Sequence, residues 1–240
     1  MKKMELTFIY LWLISLCSCQ KELIEYEKGD VKICIEQDEH WLHDFPLFLG
    51  INKKNPPQIA IWLEDIQGNY LSTVYVTHKI ATQSWQASGG NRRKEALPHW
   101  CYSRGVKYDD GLYLPTKKEP LTDGISGATP HESFDIKLNP ATALKKFVVK
   151  IEINHSTDFN EAFPKSAKDG EANYSGGKEG SGQPAIVYAA NVDLSSGEKS
   201  FEANLVGHSS PDGSSGEVNK DTSELTTALH IVKRITVIIQ

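Results

Sequence analysis

The residues best suited to chemistry in this 240-residue chain are seven consecutive ones, Asp123-Gly124-Ile125-Ser126-Gly127-Ala128-Thr129. The segment ends in a hydroxyl whose neighbours are small, so a bulky reactant could approach Thr129, and its glycines permit a sharp turn. Backbone amides in such a turn can also hydrogen-bond phosphate oxygens. The pattern therefore predicts an accessible hydroxyl in a sharp turn that could contact a phosphate. Asp-Gly and Ser-Gly are also turn formers, so a plain tight loop is the alternative.

The same segment resembles the Asp-Gly-x-Ser/Thr-Ser/Gly-Ala-Thr motif of proteins that carry covalent FMN. In those proteins a flavin transferase esterifies the flavin phosphate to the final threonine, which is Thr129 here. The resemblance implies FMN as cofactor, and it implies a flavin transferase and a membrane redox protein as partners. The remaining residues of the implied attachment site are Asp123, Gly124, Ser126, Gly127 and Ala128.

A wider resemblance rests on residues 57–65, 97–100 and 123–130. These stretches are similar to the periplasmic family described as domain of unknown function 2271, and the similarity extends over most of residues 56–240. The resemblance implies an exported β-rich domain. It also implies gene neighbourhoods that contain flavin transferases and membrane electron-transfer proteins, without an established activity.

The N-terminus is typical of an exported lipoprotein. Two lysines precede an apolar run over residues 6–16, which is too short for a comfortable membrane span. The run ends in Leu16-Cys17-Ser18-Cys19, which resembles a bacterial lipobox. We therefore predict a signal peptide over residues 1–18, a lipidated Cys19, a tether over 19–29 and one domain over 30–240. The predicted location is the cell envelope, on a bacterial membrane facing the periplasm or the cell surface; an uncleaved anchor or ordinary cleavage is the alternative.

Composition and motifs exclude several other functions. The net charge is −5 and no basic stripe is present, so nucleic acid is not an expected partner. We interpret the only basic cluster, residues 92–94, as a solvated turn. The eight histidines show no zinc spacing, and no nucleophile elbow or phosphate-binding loop occurs. Cys34 and Cys101 could form a disulfide in an oxidising compartment or remain two thiols.

Alternating apolar residues predict a chain of short strands. Residues 58–64 and 70–76 read as a hairpin, and further strands are expected over 31–35, 133–138, 146–153, 185–192, 201–206 and 231–239. A short helical turn is expected over 90–97, and long loops over 165–183 and 207–221. The fold class expected from this pattern is all-β, an immunoglobulin-like β-sandwich with long loops.

Two functional classes follow from these observations. The first is a membrane-anchored lipoprotein that carries FMN for extracytoplasmic electron transfer. The second is a non-catalytic binding or assembly module for a protein or glycan. The tryptophans Trp41, Trp62, Trp85 and Trp100 could stack on a sugar, although strand tryptophans more often pack in a core. No catalytic triad or carboxylate pair supports a hydrolase.

Overall fold

The computed structural model describes residues 22–25, 30–46, 51–85, 92–138 and 144–240. The predicted signal peptide and the predicted lipidation site at Cys19 lie outside these residues, as does most of the predicted tether. In the described ranges, no helix has both the length and the apolar character needed to cross a membrane.

Thirteen strands and two short α-helices make up the described part of the chain. The strands are β1 (Glu22–Glu25), β2 (Val31–Gln37), β3 (His43–Pro46), β4 (Asn52–Asn55), β5 (Gln58–Glu64), β6 (Tyr70–Thr77), β7 (Ile125–Gly127), β8 (Phe134–Leu138), β9 (Lys146–Asn154), β10 (Ile186–Asp193), β11 (Ser200–Glu202), β12 (Asn204–His208) and β13 (Val232–Ile239). The helices are α1 (His78–Thr82) and α2 (Pro98–Ser103). The prediction of an all-β protein is therefore confirmed.

The strands form two main sheets and one separate hairpin. The five-stranded sheet has the order β1-β8-β2-β13-β11, and the six-stranded sheet has the order β12-β10-β9-β5-β6-β7. Strands β3 and β4 pair with each other. Most neighbours are antiparallel, but β1 runs parallel to β8 and β7 runs parallel to β6. The predicted hairpin is confirmed as β5 and β6.

The two sheets share one hydrophobic core. On β9, Phe147, Val149, Ile151 and Ile153 alternate toward that core, where they join apolar residues from β2, β8 and β13. A second cluster covers the opposite face of the six-stranded sheet and includes Trp62, Leu97 and Trp100. Strand β5 is consequently buried on both faces, which explains its continuous apolar sequence.

Two predicted elements were placed wrongly. The strand predicted over 201–206 is divided at Ala203, because Ala203 donates its amide to Ile235 at 3.0 Å before the chain crosses between sheets. Strand β11 thus belongs to the five-stranded sheet, and β12 belongs to the six-stranded one. The helical turn predicted over 90–97 is replaced by α2, which starts at Pro98. Proline suits the first turn of a helix because the amide hydrogen it lacks has no partner there.

Cys34 and Cys101 do not form a disulfide in the structure. Cys34 lies on β2 in the five-stranded sheet, whereas Cys101 lies on α2 behind the six-stranded sheet. The Cys101 thiol is free, so no disulfide joins the two residues. Burial raises the pKa of the Cys101 thiol, which makes it a poor nucleophile at neutral pH.

A buried carboxyl group holds α2 against the sheet. Glu152 lies on β9 with no exposed surface, and its side-chain oxygens accept the amides of His99 at 3.1 Å and Trp100 at 2.7 Å. These amides belong to the first turn of α2, where no residue of the helix itself supplies a side-chain cap. Burial raises the pKa of Glu152 to about 7, although the two amides act in the opposite direction.

This shift makes the stability of the fold depend on pH through Glu152. The folded pKa lies above the ordinary value of 4.5, so the contribution is fully present below about pH 4.5 and is lost as the pH rises to about 7. We expect the unfolding free energy of the wild type, minus that of Glu152→Gln, to fall over this range by up to about 1.4 kcal/mol per pH unit. Urea unfolding at several pH values measures this difference. The control is Glu202→Gln, which changes an exposed glutamate. If the difference in unfolding free energy between the wild type and Glu152→Gln does not change with pH, the pKa of Glu152 is not raised in the folded protein.

Candidate functional site

The predicted attachment motif lies along one edge of the six-stranded sheet. Residues 125–127 form β7, which pairs in parallel with the end of β6, so that Ile125 lies opposite Tyr75 and Gly127 lies opposite Thr77. Asp123 precedes this strand and Thr129 follows it by two residues. The two ends of the motif therefore face different surroundings.

Asp123 anchors the start of the motif to the sheet. The Tyr70 hydroxyl donates to Asp123 Oδ2 at 2.5 Å, and Arg104 Nη2 lies 3.7 Å from Asp123 Oδ1. Burial of the Tyr70 ring and its bond to Asp123 raise the pKa of the phenol, so it stays a donor at neutral pH. These contacts give Asp123 a structural role in positioning β7.

Of the two glycines in the motif, the backbone geometry requires only Gly124. Gly124 has a φ of +146°, and a Cβ added there would lie 2.9 Å from Thr73 Cγ2. A Cβ added at Gly127 would lie 3.7 Å from Tyr75 Cε2, an ordinary van der Waals distance. The backbone geometry therefore does not require a glycine at position 127. Because Gly127 has no side chain, it does not obstruct the space next to Ala128 and Thr129.

The hydroxyl of Thr129 is less accessible than the motif suggested. The residue is only 4% exposed, and its Oγ1 lies 2.8 Å from Thr77 Oγ1 in a hydrogen bond. Thr77 Oγ1 in turn accepts the amide of Ile59 at 2.9 Å, which fixes the pair against β5. Ser126, the other hydroxyl of the motif, is exposed on the edge strand.

Thr129 lies in the wall of a cavity of about 780 Å³. Gly127, Ala128 and Thr77 line the same cavity, so the end of the motif and the cavity form one site. The other lining residues come from β3, β4, β5, α1 and nearby loops, and they are His43, Phe45, Lys53, Asn55, Pro56, Gln58, His78, Lys79, Trp85, Arg93, His131, His155, Ser156 and Glu179. Pockets for small molecules and cofactors are roughly 300–1,000 Å³, so the volume is sufficient for such a ligand.

The cavity carries an excess of positive charge. Lys53, Lys79 and Arg93 line it, whereas Glu179 is the one carboxylate among its described lining residues. The pKa of Lys79 is lowered, mainly by burial and then by the neighbouring charges of Lys53 and Arg93. Because neighbouring positive charges disfavour the protonated form of Lys79, an anion bound beside it would be stabilised.

Arg93 was wrongly interpreted as part of a solvated turn. Its guanidinium is buried, where Nε donates to Glu95 Oε1 at 2.7 Å and Nη1 donates to Ser156 Oγ at 2.6 Å. It also lies 4.6 Å from the centre of the Trp85 ring. The Trp85 indole nitrogen donates to Gln83 Oε1 at 2.9 Å, so the ring is held from two directions.

All four described tryptophans belong to the hydrophobic clusters, and one of them, Trp85, also reaches the cavity. Trp41, Trp62 and Trp100 are at most 1% exposed and pack in the hydrophobic clusters, so they offer no stacking surface. Trp85 alone among the described tryptophans lines the cavity. Sequence reasoning missed Lys53 and Lys79 altogether, because single lysines on β4 and α1 form no motif.

The histidines of the cavity do not form a metal site. His155 is buried and its Nε2 lies 2.9 Å from the His40 carbonyl oxygen, while its ring packs 5.2 Å from that of His43. Burial lowers the pKa of His155 to about 3, so it is neutral in the folded protein. Within the described ranges, no three or more histidine, cysteine, aspartate or glutamate side chains are placed to hold a metal ion.

A second cavity of about 520 Å³ lies under the long loop that follows β12. Its lining includes the buried His208 and the exposed acids Glu217 and Asp221. It shares no lining residue with the first cavity and none with residues 123–129. The attachment motif therefore points to the first cavity alone.

The contrast between the two glycines of the motif gives a matched pair of variants. We expect Gly124→Ala to lower the unfolding free energy by about 1–3 kcal/mol, because the new Cβ meets Thr73 and the φ is unfavourable. Gly127→Ala should change it by less than about 1 kcal/mol. Urea unfolding of both variants measures the difference. Equal losses in the two variants would mean that β7 does not pack on Thr73 as described.

Comparison with known proteins gives no relative for this chain. No family model matches it, and neither a curated protein nor a solved structure matches it. The resemblance to the domain of unknown function 2271 therefore stays a prediction from the sequence motifs.

Proposed function

We propose that this protein is an exported, membrane-anchored lipoprotein that carries FMN covalently on Thr129 and transfers electrons outside the cytoplasm. The observation that carries the proposal is the position of Thr129. The motif that resembles a covalent FMN attachment site ends in the wall of a cavity large enough for a cofactor.

The character of the cavity also fits the cofactor. FMN joins a flat aromatic ring system to a phosphate, and the cavity offers the ring of Trp85 together with a group of cations. Gly127 and Ala128, which precede Thr129, have no bulky side chains. When bound, the flavin would supply the redox chemistry, while the protein would hold it and set its potential through the surrounding charges.

The remaining parts of the proposal rest on the sequence. A lipid on Cys19 would keep the protein at the membrane, where a flavin transferase would modify it and a membrane redox protein would exchange electrons with it. Covalent attachment would prevent loss of the cofactor from an open compartment. We also assign the domain to the immunoglobulin-like β-sandwiches, supported by the two facing sheets with a shared core.

A second candidate is a non-catalytic binding module. It is favoured by one observation, the burial of the Thr129 hydroxyl and its hydrogen bond to Thr77. A hydroxyl already engaged in the wall suits a preformed pocket for a reversible ligand. Covalent attachment instead requires that the Thr77–Thr129 bond opens during transfer.

Covalent attachment is tested by co-expression with an active flavin transferase. The wild type should gain the mass of FMN less water and should fluoresce under ultraviolet light in a denaturing gel. Thr129→Val keeps the shape of the side chain but removes the hydroxyl, so it should gain nothing. Thr129→Ser should keep the modification, as should Ser126→Ala, which removes the exposed hydroxyl of the same motif.

Peptide mapping of the modified protein then locates the flavin. Modification on Ser126 would move the attachment site away from the cavity. Absence of any modification in the wild type, with a transferase that labels a known substrate in the same cells, would leave the binding-module function.

A further inference from the structure

Three features of a selective ligand site occur together in this cavity. They are a fixed hydroxyl, two cationic side chains and a fixed aromatic ring. The hydrogen bond to Thr77, the last residue of β6, fixes the position of the Thr129 hydroxyl. Lys79 follows Thr77 by only two residues, on α1. Thr129 and Lys79 line the same cavity, so a single ligand can contact both.

The charge available to a ligand is that of Lys53 and Lys79. Arg93 is already neutralised by Glu95 at 2.7 Å, and its other donors bind Ser156 and Ser181. Neither lysine forms an ion pair with an acid within the described part of the chain. Both residues keep exposed surface, although the Lys79 ammonium is partly desolvated, so both can contact an anion.

The aromatic part of the site is fixed in advance. Trp85 is 9% exposed, and Gln83 and Arg93 hold its ring in place. The Lys79 ammonium lies 5.7 Å from the centre of the same ring, so charge and aromatic surface are neighbours. A ring held in this way loses little conformational entropy when a flat molecule packs against it.

We propose that the cavity binds a phosphorylated planar aromatic molecule reversibly, with the phosphate at Lys53 and Lys79 and the ring system against Trp85. This inference rests on the proposed function, because it makes FMN itself the selected ligand and riboflavin, which lacks the phosphate, a poor one. In the covalently modified protein, the same two lysines would contact the phosphate of the Thr129 ester. Selection by charge would keep unphosphorylated flavins from occupying the site.

The chain supplies a matched control for the charge. Lys54 is the next residue on β4, so its side chain points to the other face of the strand. It forms an ion pair with Asp44 at 3.3 Å and does not line the cavity. Lys54→Gln removes the same charge from the same strand without changing the proposed site.

The experiment uses the Thr129→Val protein, in which only reversible binding is possible. Calorimetric titration should show FMN binding at least about tenfold more tightly than riboflavin, because charge-assisted bonds to a phosphate are strong. In the double variant Lys53→Gln/Lys79→Gln, the ratio of the FMN affinity to the riboflavin affinity should fall toward one, mainly because FMN binds more weakly. Lys54→Gln should leave the ratio unchanged. Inorganic phosphate should compete with FMN in the parent protein but not in the double variant.

The outcomes separate this inference from the proposed function. Equal affinity for FMN and riboflavin, or a ratio that survives loss of both lysines, would overturn the inference even if the wild type is covalently modified. Selective FMN binding by the Thr129→Val protein would support it even if the wild type is never modified. Trp85→Leu should weaken the binding of both FMN and riboflavin. Unchanged binding in that variant would show that the ring system does not pack against Trp85.

Discussion

The hydrogen bond between Thr77 and Thr129 is the interaction on which the candidate site depends. It joins the end of β6 to the residue at which the motif leaves the sheet edge, at 2.8 Å between the two hydroxyl oxygens. Thr77 is itself fixed by the Ile59 amide on the neighbouring strand. Because β7 ends at Gly127, Thr129 is held by this bond together with the neighbouring Pro130, whose carbonyl oxygen accepts the Trp41 indole nitrogen at 3.1 Å.

The rest of the fold serves to make that edge rigid. The six-stranded sheet is covered by the shared core on one face and by the Trp62 and Trp100 cluster on the other. Burial on both faces leaves β5 and β6 little freedom, since each exposes almost nothing at the end near the cavity. Glu152 secures α2 on the second face by accepting two of its amides. A cofactor at Thr129 would thus be attached next to the buried ends of β5 and β6.

The sequence predicted the parts of this arrangement that repeat along the chain. The two-residue alternation of β9 and the apolar run of β5 identify strands, since burial of one or both faces leaves a direct pattern. The crossing at Ala203 left no such pattern, because residues 201–206 alternate in the same way whether they follow one sheet or two. The motif was visible because its residues are consecutive. Lys53, Lys79 and Trp85 are isolated in sequence and meet only through the fold, and Arg93 was misread because a basic run resembles a solvated turn.

The central claim is that the motif and the cavity form one cofactor site, with the flavin attached at Thr129 and enclosed by the cavity. The most direct test is a crystal structure of the protein after co-expression with a flavin transferase. Continuous electron density is expected from Thr129 Oγ1 into the cavity, with the phosphate within hydrogen-bond distance of Lys53 or Lys79 and the ring system against Trp85. A flavin that extends from Thr129 into solvent, or density on another residue, would contradict it.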